Sequence, residues 1–319
     1  MAKKEQSQIM VDIIVRAYNQ EDMVRQALDS LMAQQTTYPF EVIVGENHST
    51  DNTLAVCQEY AAKYDNIKLL AHPQNIGGQR NLLECIKAGI GKYIMICDGD
   101  DWWHNPNKIQ LQVDYMEAHP ECYVLHTDFD EFDNRTGKTR HNIKKTSGKE
   151  VPEGRIQKEL FSGKVPICWP TSSIRRSAFE QYMPLEKFIE NGVVGEDYPT
   201  WVILSAYGDV NYLPISTVTY RVGNVSVTRE VNYDRIIARR ECDKRTLRLL
   251  YSMFPNLGTY HEDEWFDMYY SHQLLLAAYR GNDYRNARKF SLEDMMPDWR
   301  TRMACTWLTF KIARLLKQL

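Results

Sequence analysis

Apolar residues in this chain fall into short dense runs, separated by longer stretches in which they recur at helical spacing. Met10–Val15, Glu41–Val44, Ile67–Leu70, Tyr93–Cys97 and Cys122–His126 read as buried strands. Between the first two, Asn19 precedes Glu21 and Asp22 as an N-cap signature, and Val24, Leu28, Leu31 and Met32 repeat with helical period. Ser49-Thr50-Asp51 offers caps for a helix to about Tyr64, and Gly77-Gly78 leads into one that ends near Gly89. Asn105-Pro106 starts another, with Pro at the first helical position. Strands separated by helices in this way predict parallel pairing through right-handed crossovers. Ligands of such sheets sit beyond the carboxyl ends of the strands. Polar clusters fall in those places: after Val15, after Val44, near Gly77 and after Cys97.

Beyond the fifth strand the pattern loosens. Residues 133–150 are polar and basic, with Arg135, Lys138, Arg140, Lys144, Lys145 and Lys149. They read either as a solvated loop or as a flap over an anionic substrate. An apolar run from Tyr198 to Ala206, stopped by Gly208, predicts a helix, and from about Glu230 onward the spacing is mainly helical. The tail Met303–Leu319 is amphipathic, with Lys311, Arg314 and Lys317 among Trp307, Leu308, Ile312, Leu315 and Leu316. Two readings of it stand: packing on the domain or on a second subunit as a homodimer, and peripheral contact with an anionic membrane.

Composition narrows the classes. A chain of 319 residues fits one α/β domain of roughly 200 residues or more with a smaller appendage. The net charge of -3 lacks the basic excess of a general nucleic-acid binder, so no nucleic-acid partner is expected. Seven cysteines, an odd number at wide spacing with no Cys-x-x-Cys, read as reduced thiols in a cytoplasmic setting. No apolar signal stretch opens the chain, and no run approaches the length of a membrane span.

Four polar segments could carry chemistry. In Asp98-Gly99-Asp100-Asp101, three carboxylates within four residues repel one another unless a cation sits among them. Oxygen ligands of this kind suit Mg²⁺ or Mn²⁺. On its own the turn is equally read as an acidic lead-in to the next helix. Gly45 to Asp51 either reads a nucleobase or ribose, or merely caps a helix. In Asn75 to Asn81, paired glycines permit close backbone approach, and Arg80 sits in a helical first turn that favours anions. Its alternative is an exposed Arg80–Glu84 pair. Gly195-Glu196-Asp197 precedes an apolar helix. Acids there partner the helix dipole or supply a general base.

Together these segments resemble glycosyltransferase family 2. Val11 to Asn19 resembles that family's opening strand and its Ala-Tyr-Asn turn, and Phe40 to Thr53 its second strand and acidic segment. Asn75 to Asn81 is similar to its Asn-x-Gly…Arg-Asn segment, Asp98 to Trp102 to its Asp-x-Asp-Asp with a following aromatic, and Glu196-Asp197 to its Glu-Asp pair. The match covers residues about 10–225 in order. It implies an α/β GT-A nucleotide-diphospho-sugar transferase fold, a mostly parallel sheet flanked by helices, with a helical C-terminal extension. The catalytic domain is expected over 1–225, with a nucleotide-binding half at about 10–130 and an acceptor half at about 131–225. The helical region is expected over 226–319.

By the same resemblance, Arg16, Ala17, Tyr18, Glu46, Asn47 and Arg80 surround the nucleotide. Asp98 and Asp100 meet the ribose and metal, Asp101 is a third candidate metal ligand, Asp197 is the base and Glu196 stands beside it. The implied activity is inverting transfer from a UDP-sugar to a hydroxyl of a glycan or lipid-linked acceptor, with Mn²⁺ or Mg²⁺, in bacterial cell-surface polysaccharide synthesis. It places the protein in the cytoplasm or on the inner face of the plasma membrane. A non-catalytic sugar-nucleotide binder is the alternative. Most members carry Asp where this chain has Glu46 and Asn47, which leaves GDP and dTDP as further nucleotides. Ile167–Arg175, with Cys168-Trp169-Pro170-Thr171-Ser172-Ser173, resembles the acceptor-side strand, and Tyr220-Arg221 with Gly223 to Ser226 resembles the closing segment. Arg221 reaches the diphosphate or forms a structural contact. His104 is a further site candidate through its closeness to the acidic turn.

Overall fold

The computed structural model describes residues 9–163, 165–223, 232–258, 262–281, 283–287 and 289–290. The first part alternates as the apolar runs predict: β1 Val11–Ala17, α1 Val24–Met32, β2 Phe40–Glu46, α2 Thr53–Lys63, β3 Ile67–Ala71, α3 Gly78–Ala88, β4 Tyr93–Ile96 and α4 Lys108–Ala118. Pro106 stands before the Asn107 cap of α4 and not at its first helical position. β5 Cys122–Asp133 runs seven residues past the predicted strand, because Asp133 turns into β6 Lys138–Arg140 as a hairpin. The polar 133–150 stretch therefore holds a hairpin and a short helix, α5 Ile143–Thr146. Then follow α6 Gln157–Phe161, a 3-10 turn Trp169–Thr171, β7 Ser173–Arg175, α7 Arg176–Tyr182, α8 Leu185–Glu190, α9 Asp197–Leu204 and β8 Asp209–Val222.

The sheet runs β3-β2-β1-β4-β7-β5-β6, with β8 on β5. β1, β2, β3 and β4 are parallel neighbours, and β8 is parallel to β5. The expectation of parallel pairing fails at one place. β7 is inserted antiparallel between β4 and β5, so those two strands are not neighbours. Its three residues, Ser173-Ile174-Arg175, are too short to show a period. β1 is buried along nearly its whole length, as a central strand covered on both faces must be. Its core partners include Val24, Leu28, Val42, Val44, Tyr93, Met95 and Val113.

Register places the site. Ala17 lies opposite Glu46, and Ile14 opposite Ile96. Cys97 N then donates to Ile14 O (2.9 Å), and Gly99 N donates to Arg16 O (3.0 Å). The acidic turn is thereby hung on the carboxyl end of β1. A Cβ at Gly99 would lie 2.4 Å from Gln20 Oε1 and 3.2 Å from Arg16 O, so the end of the Gln20 side chain would have to shift to admit it.

The chain divides into two compact units, residues 1–160 with 164–224 and residues 161–163 with 225–319. In the second, α10 Tyr233–Met253, α11 Glu262–Arg280 and α12 Tyr284–Ala287 bear out the helical spacing. Ile236 packs with Phe266, Tyr270, Leu274 and Ala277. The tail 303–319 and residues 224–226 lie outside the described residues. Among the described residues, no helix is long and apolar enough to cross a membrane.

Candidate active site

The loops after β1 and β2 are stitched together by short polar side chains. Asn19 Oδ1 accepts from Thr50 N (2.8 Å), Ser49 Oγ from Asn19 N (3.0 Å), and Thr53 Oγ1 from Gln20 N (2.8 Å). Asp51 accepts from Glu21 N and Thr53 N. Asn19 and His48 both adopt left-handed backbone, the latter at φ 63°, a conformation Asn tolerates better than most residues. Glu46 is buried and accepts from Ser49 N (2.8 Å) and His48 N (3.3 Å). Asn47 faces the next loop: its Oδ1 accepts from Ile76 N (2.9 Å) and its Nδ2 donates to Asn75 Oδ1 (3.1 Å). Asn81, on α3, donates to Gly45 O (2.7 Å). Tyr18 is exposed beside these loops, and Ala17 is buried beneath them. Arg80 is exposed in the first turn of α3, and among the described residues it forms no ion pair with Glu84.

The acidic turn is the meeting point of three elements. From β1, Arg16 grips Asp98 with two bonds of 2.7 Å, Nε to Oδ1 and Nη2 to Oδ2. Its Nη1 donates to Glu196 at the start of α9. From β8, Arg221 N donates to Asp101 Oδ1 (2.8 Å) and Arg221 Nε to Asp100 O (2.8 Å). The Arg221 guanidinium lies 4.9 Å from the Trp102 ring centroid and 5.4 Å from that of Phe132. Its outer nitrogens donate to Asn134 Oδ1 and Gln26 Oε1. Arg221 thus holds the turn from β8 through its backbone N–H and its Nε. It meets the backbone carbonyl of Asp100 and not its carboxylate. His104 Nδ1 lies 2.9 Å from Thr219 Oγ1 on β8.

Asp98, Asp100, Asp101, Glu196 and Asp197 thus gather around two guanidinium groups, Arg16 and Arg221. Burial pushes the Asp101 carboxyl well above the usual carboxylate range, with Asp100 adding to the effect. Asp100 is raised by burial and by Asp98. Asp197 is half-buried at the start of α9. Burial and then Glu196 raise its pKa, while Arg16 acts the other way. Burial opposes the charge on Arg16, but Asp98 and Glu196 outweigh it and hold its pKa well above the ordinary value.

Among the described residues, no group of three or more His, Cys, Asp or Glu is arranged to hold a metal by itself. The donor set fits a different mode. Both Asp98 oxygens face Arg16 and one Asp101 oxygen faces Arg221 N, which leaves Asp100 with an available carboxylate. Mg²⁺-type sites commonly combine one or two carboxylates with substrate phosphates.

The structure brings together Arg16, Asp98, Asp100, Asp101, Glu196, Asp197 and Arg221, and places Ala17, Tyr18, Glu46, Asn47 and Arg80 on the loops at the carboxyl ends of β1 and β2 and at the start of α3. Sequence reasoning missed Gln26 and Asn134, which hold Arg221, and Lys108. A Lys at the first turn of a helix reads as exposed, yet Lys108 is fully buried. Trp169, buried against Trp201 at 4.9 Å between centroids, is a core residue of the first unit.

Comparison with known proteins gives three findings. The model of the family described as Glycosyl transferase family 2 matches residues 12–183, more than half of the chain. EpsE of Bacillus subtilis (strain 168) is 32% identical over 173 residues, 53% of this chain and 57% of EpsE. The curated relatives are matched in part: the chain spans 33% of the length of three mycobacterial proteins that are 40% identical to it over 115 residues. Among solved structures, S. aureus TarS 1-349 in complex with UDP-GlcNAc is 19% identical with a TM-score of 0.55, covering 94% of this chain and 79% of that one. The mannosyltransferase PcManGT from Pyrobaculum calidifontis, in complex with GDP-Man and Mn²⁺, is 16% identical with a TM-score of 0.57, covering 97% and 88%. These two establish the shared fold, a mostly parallel sheet flanked by helices of the GT-A kind.

Proposed function

The chain belongs to glycosyl transferase family 2, and from that premise we propose that it transfers a sugar from a nucleoside-diphosphate donor to an acceptor hydroxyl, with inversion, using Asp197 as the base. The observation that carries this reading is the convergence of Asp197, Glu196 and the Asp98–Asp101 turn on Arg16 at the carboxyl ends of β1 and β4. That is where an open α/β sheet binds its ligand.

In this reading Asp197 takes the proton of the acceptor hydroxyl as the hydroxyl attacks the anomeric carbon and the nucleoside diphosphate departs on the opposite side. A carboxyl pKa lifted by burial and by Glu196 makes Asp197 a stronger base than a free aspartate. Asp100 would hold Mn²⁺ or Mg²⁺ together with the donor's diphosphate, and Asp98 and Asp101 would lie close enough to add to the field. When bound, the metal neutralises charge that grows on the leaving phosphate. The loops carrying Tyr18, Glu46, Asn47 and Arg80 would take the nucleoside. TarS binds UDP-GlcNAc and PcManGT binds GDP-Man. A UDP-sugar is the favoured donor, and a glycan or lipid-linked hydroxyl in cell-surface polysaccharide synthesis is the favoured acceptor.

The test is release of free nucleoside diphosphate from a panel of UDP-, GDP- and dTDP-sugars with Mn²⁺, using water and glycan fractions as acceptors. Turnover of one donor class supports the proposal. Tight binding of a nucleotide sugar with no turnover under any acceptor would favour the non-catalytic binder.

A further inference from the structure

We propose that Arg16 is a positioning residue that clamps the acidic turn to the start of α9, and that it does not contact the nucleotide. This rests on reading Asp197 as the base of a glycosyl transfer. Arg16 sits on the central strand β1, whose backbone is fixed by β2 on one side and β4 on the other. Its guanidinium is committed on two sides. Nε and Nη2 hold both oxygens of Asp98 at 2.7 Å, and Nη1 holds Glu196. Its own carbonyl accepts from Gly99 N at 3.0 Å, which fixes the turn a second time.

The two partners come from distant parts of the chain. Asp98 belongs to the turn that would face the donor diphosphate. Glu196 adjoins Asp197 and anchors α9, its carbonyl accepting from Thr200 N (3.2 Å) and from Thr200 Oγ1 (2.6 Å). One planar guanidinium therefore sets the spacing between the leaving-group side and the base. A misplacement of about 1 Å between reacting groups lowers the rate of transfer without weakening the binding of either substrate. The fork geometry is specific to Arg. A Lys at this position would keep the charge but could not meet both oxygens of Asp98 and reach Glu196 at once.

The experiment measures two quantities on wild type, Arg16→Gln, Arg16→Lys and Glu196→Gln. The first is the Kd of UDP, GDP or dTDP with Mn²⁺, whichever binds wild type best, by calorimetry. The second is kcat and KM for release of nucleoside diphosphate from the donor that wild type turns over. The clamp predicts a Kd and a KM within about threefold of wild type and a kcat lowered 30-fold or more in all three variants, with no rescue by Arg16→Lys. Overturning results are a Kd weakened tenfold or more with kcat preserved at saturating donor, or wild-type kcat in Arg16→Lys. If Arg16→Gln does not fold, Glu196→Gln, which cuts one arm and leaves Asp98 gripped, decides the matter: unchanged kcat there overturns the clamp. If wild type turns over no donor, the proposed function fails, and the clamp is still read by thermal unfolding. A double-mutant cycle of Arg16→Gln with Glu196→Gln must then show coupling, and strict additivity would overturn it.

Discussion

Replacing Lys108 with Met should stabilise the protein near neutral pH and flatten its dependence on pH. Lys108 is fully buried at the first turn of α4, where its ammonium donates to Gln112 Oε1 and Thr171 O (3.1 Å) and lies 4.7 Å from the Trp103 ring centroid. Burial pushes its pKa down to about 7, with Cys97 and Cys168 acting the other way. The unfolded chain keeps this proton up to the ordinary lysine range, whereas the folded chain releases it near 7. Between those values the unfolded state binds more protons, so stability rises with pH, and the penalty is complete below pH 7. A gap of about 3.5 pKa units corresponds to a ceiling of roughly 5 kcal/mol, of which roughly 2 kcal/mol is relieved between pH 7 and pH 9.

The Met side chain fills the stem's space, and Thr171 O still accepts from Gln112 Nε2 (3.1 Å). The lost hydrogen bonds, and the buried Gln112 Oε1 left without its donor, offset roughly 1–3 kcal/mol. Lys108→Met should therefore gain roughly 1–3 kcal/mol at pH 7 and lose most of the wild-type rise toward pH 9. Urea unfolding followed by tryptophan fluorescence at pH 7, 8 and 9 measures both. Parallel pH slopes for the two proteins, or a net destabilisation at pH 7, would refute the reasoning.

Three further substitutions probe the frame of the site. Arg176→Met strips Asp12, which is fully buried with its Oδ2 on Arg176 Nη2 and Gly91 N; a loss of about 3–5 kcal/mol is expected in urea unfolding, partly restored by adding Asp12→Asn. Gly45→Ala would put a Cβ 2.1 Å from Asn81 Oδ1 and 2.5 Å from Cys85 Sγ, so a drop of about 1–3 kcal/mol should appear, with weaker nucleotide binding by calorimetry; a wild-type Tm would contradict it. Asp100→Asn should leave the fold intact and weaken Mn²⁺-dependent nucleotide binding by tenfold or more, while Asp101→Asn, which can keep its bond from Arg221 N, should weaken it less; the reverse order would assign the metal to Asp101.

The first half of the fold was legible because local signals suffice there. Val42–Val44 and Tyr93–Cys97 are continuous apolar runs, Val11–Val15 is broken only by Asp12, and Asn19, Asp51 and Gly77 punctuate them. β8 escaped because Asp209 to Val222 mixes polar residues and Pro214 with no steady alternation, and its pairing with β5 shifts register at Thr127 and Asp128. The hairpin and α5 in 133–150 escaped because buried acids on β5 hold them: Asp128 accepts from Lys144 N and Lys145 N, and Asp130 from Asn142 N and His141. In the site, the Asp98 turn and the Glu196-Asp197 pair stood out from their neighbours in sequence. The grip of Arg16 on partners 82 and 180 residues away did not, since no local spacing encodes it.

The central claim is that Asp197 removes the acceptor proton. The most direct measurement compares wild type with Asp197→Asn in two assays: calorimetry of nucleotide with Mn²⁺, and release of nucleoside diphosphate from the donor. The account predicts a Kd within about threefold of wild type and turnover lowered by about 10²–10⁴-fold, the range of general-base catalysis. Undiminished turnover by Asp197→Asn would contradict it.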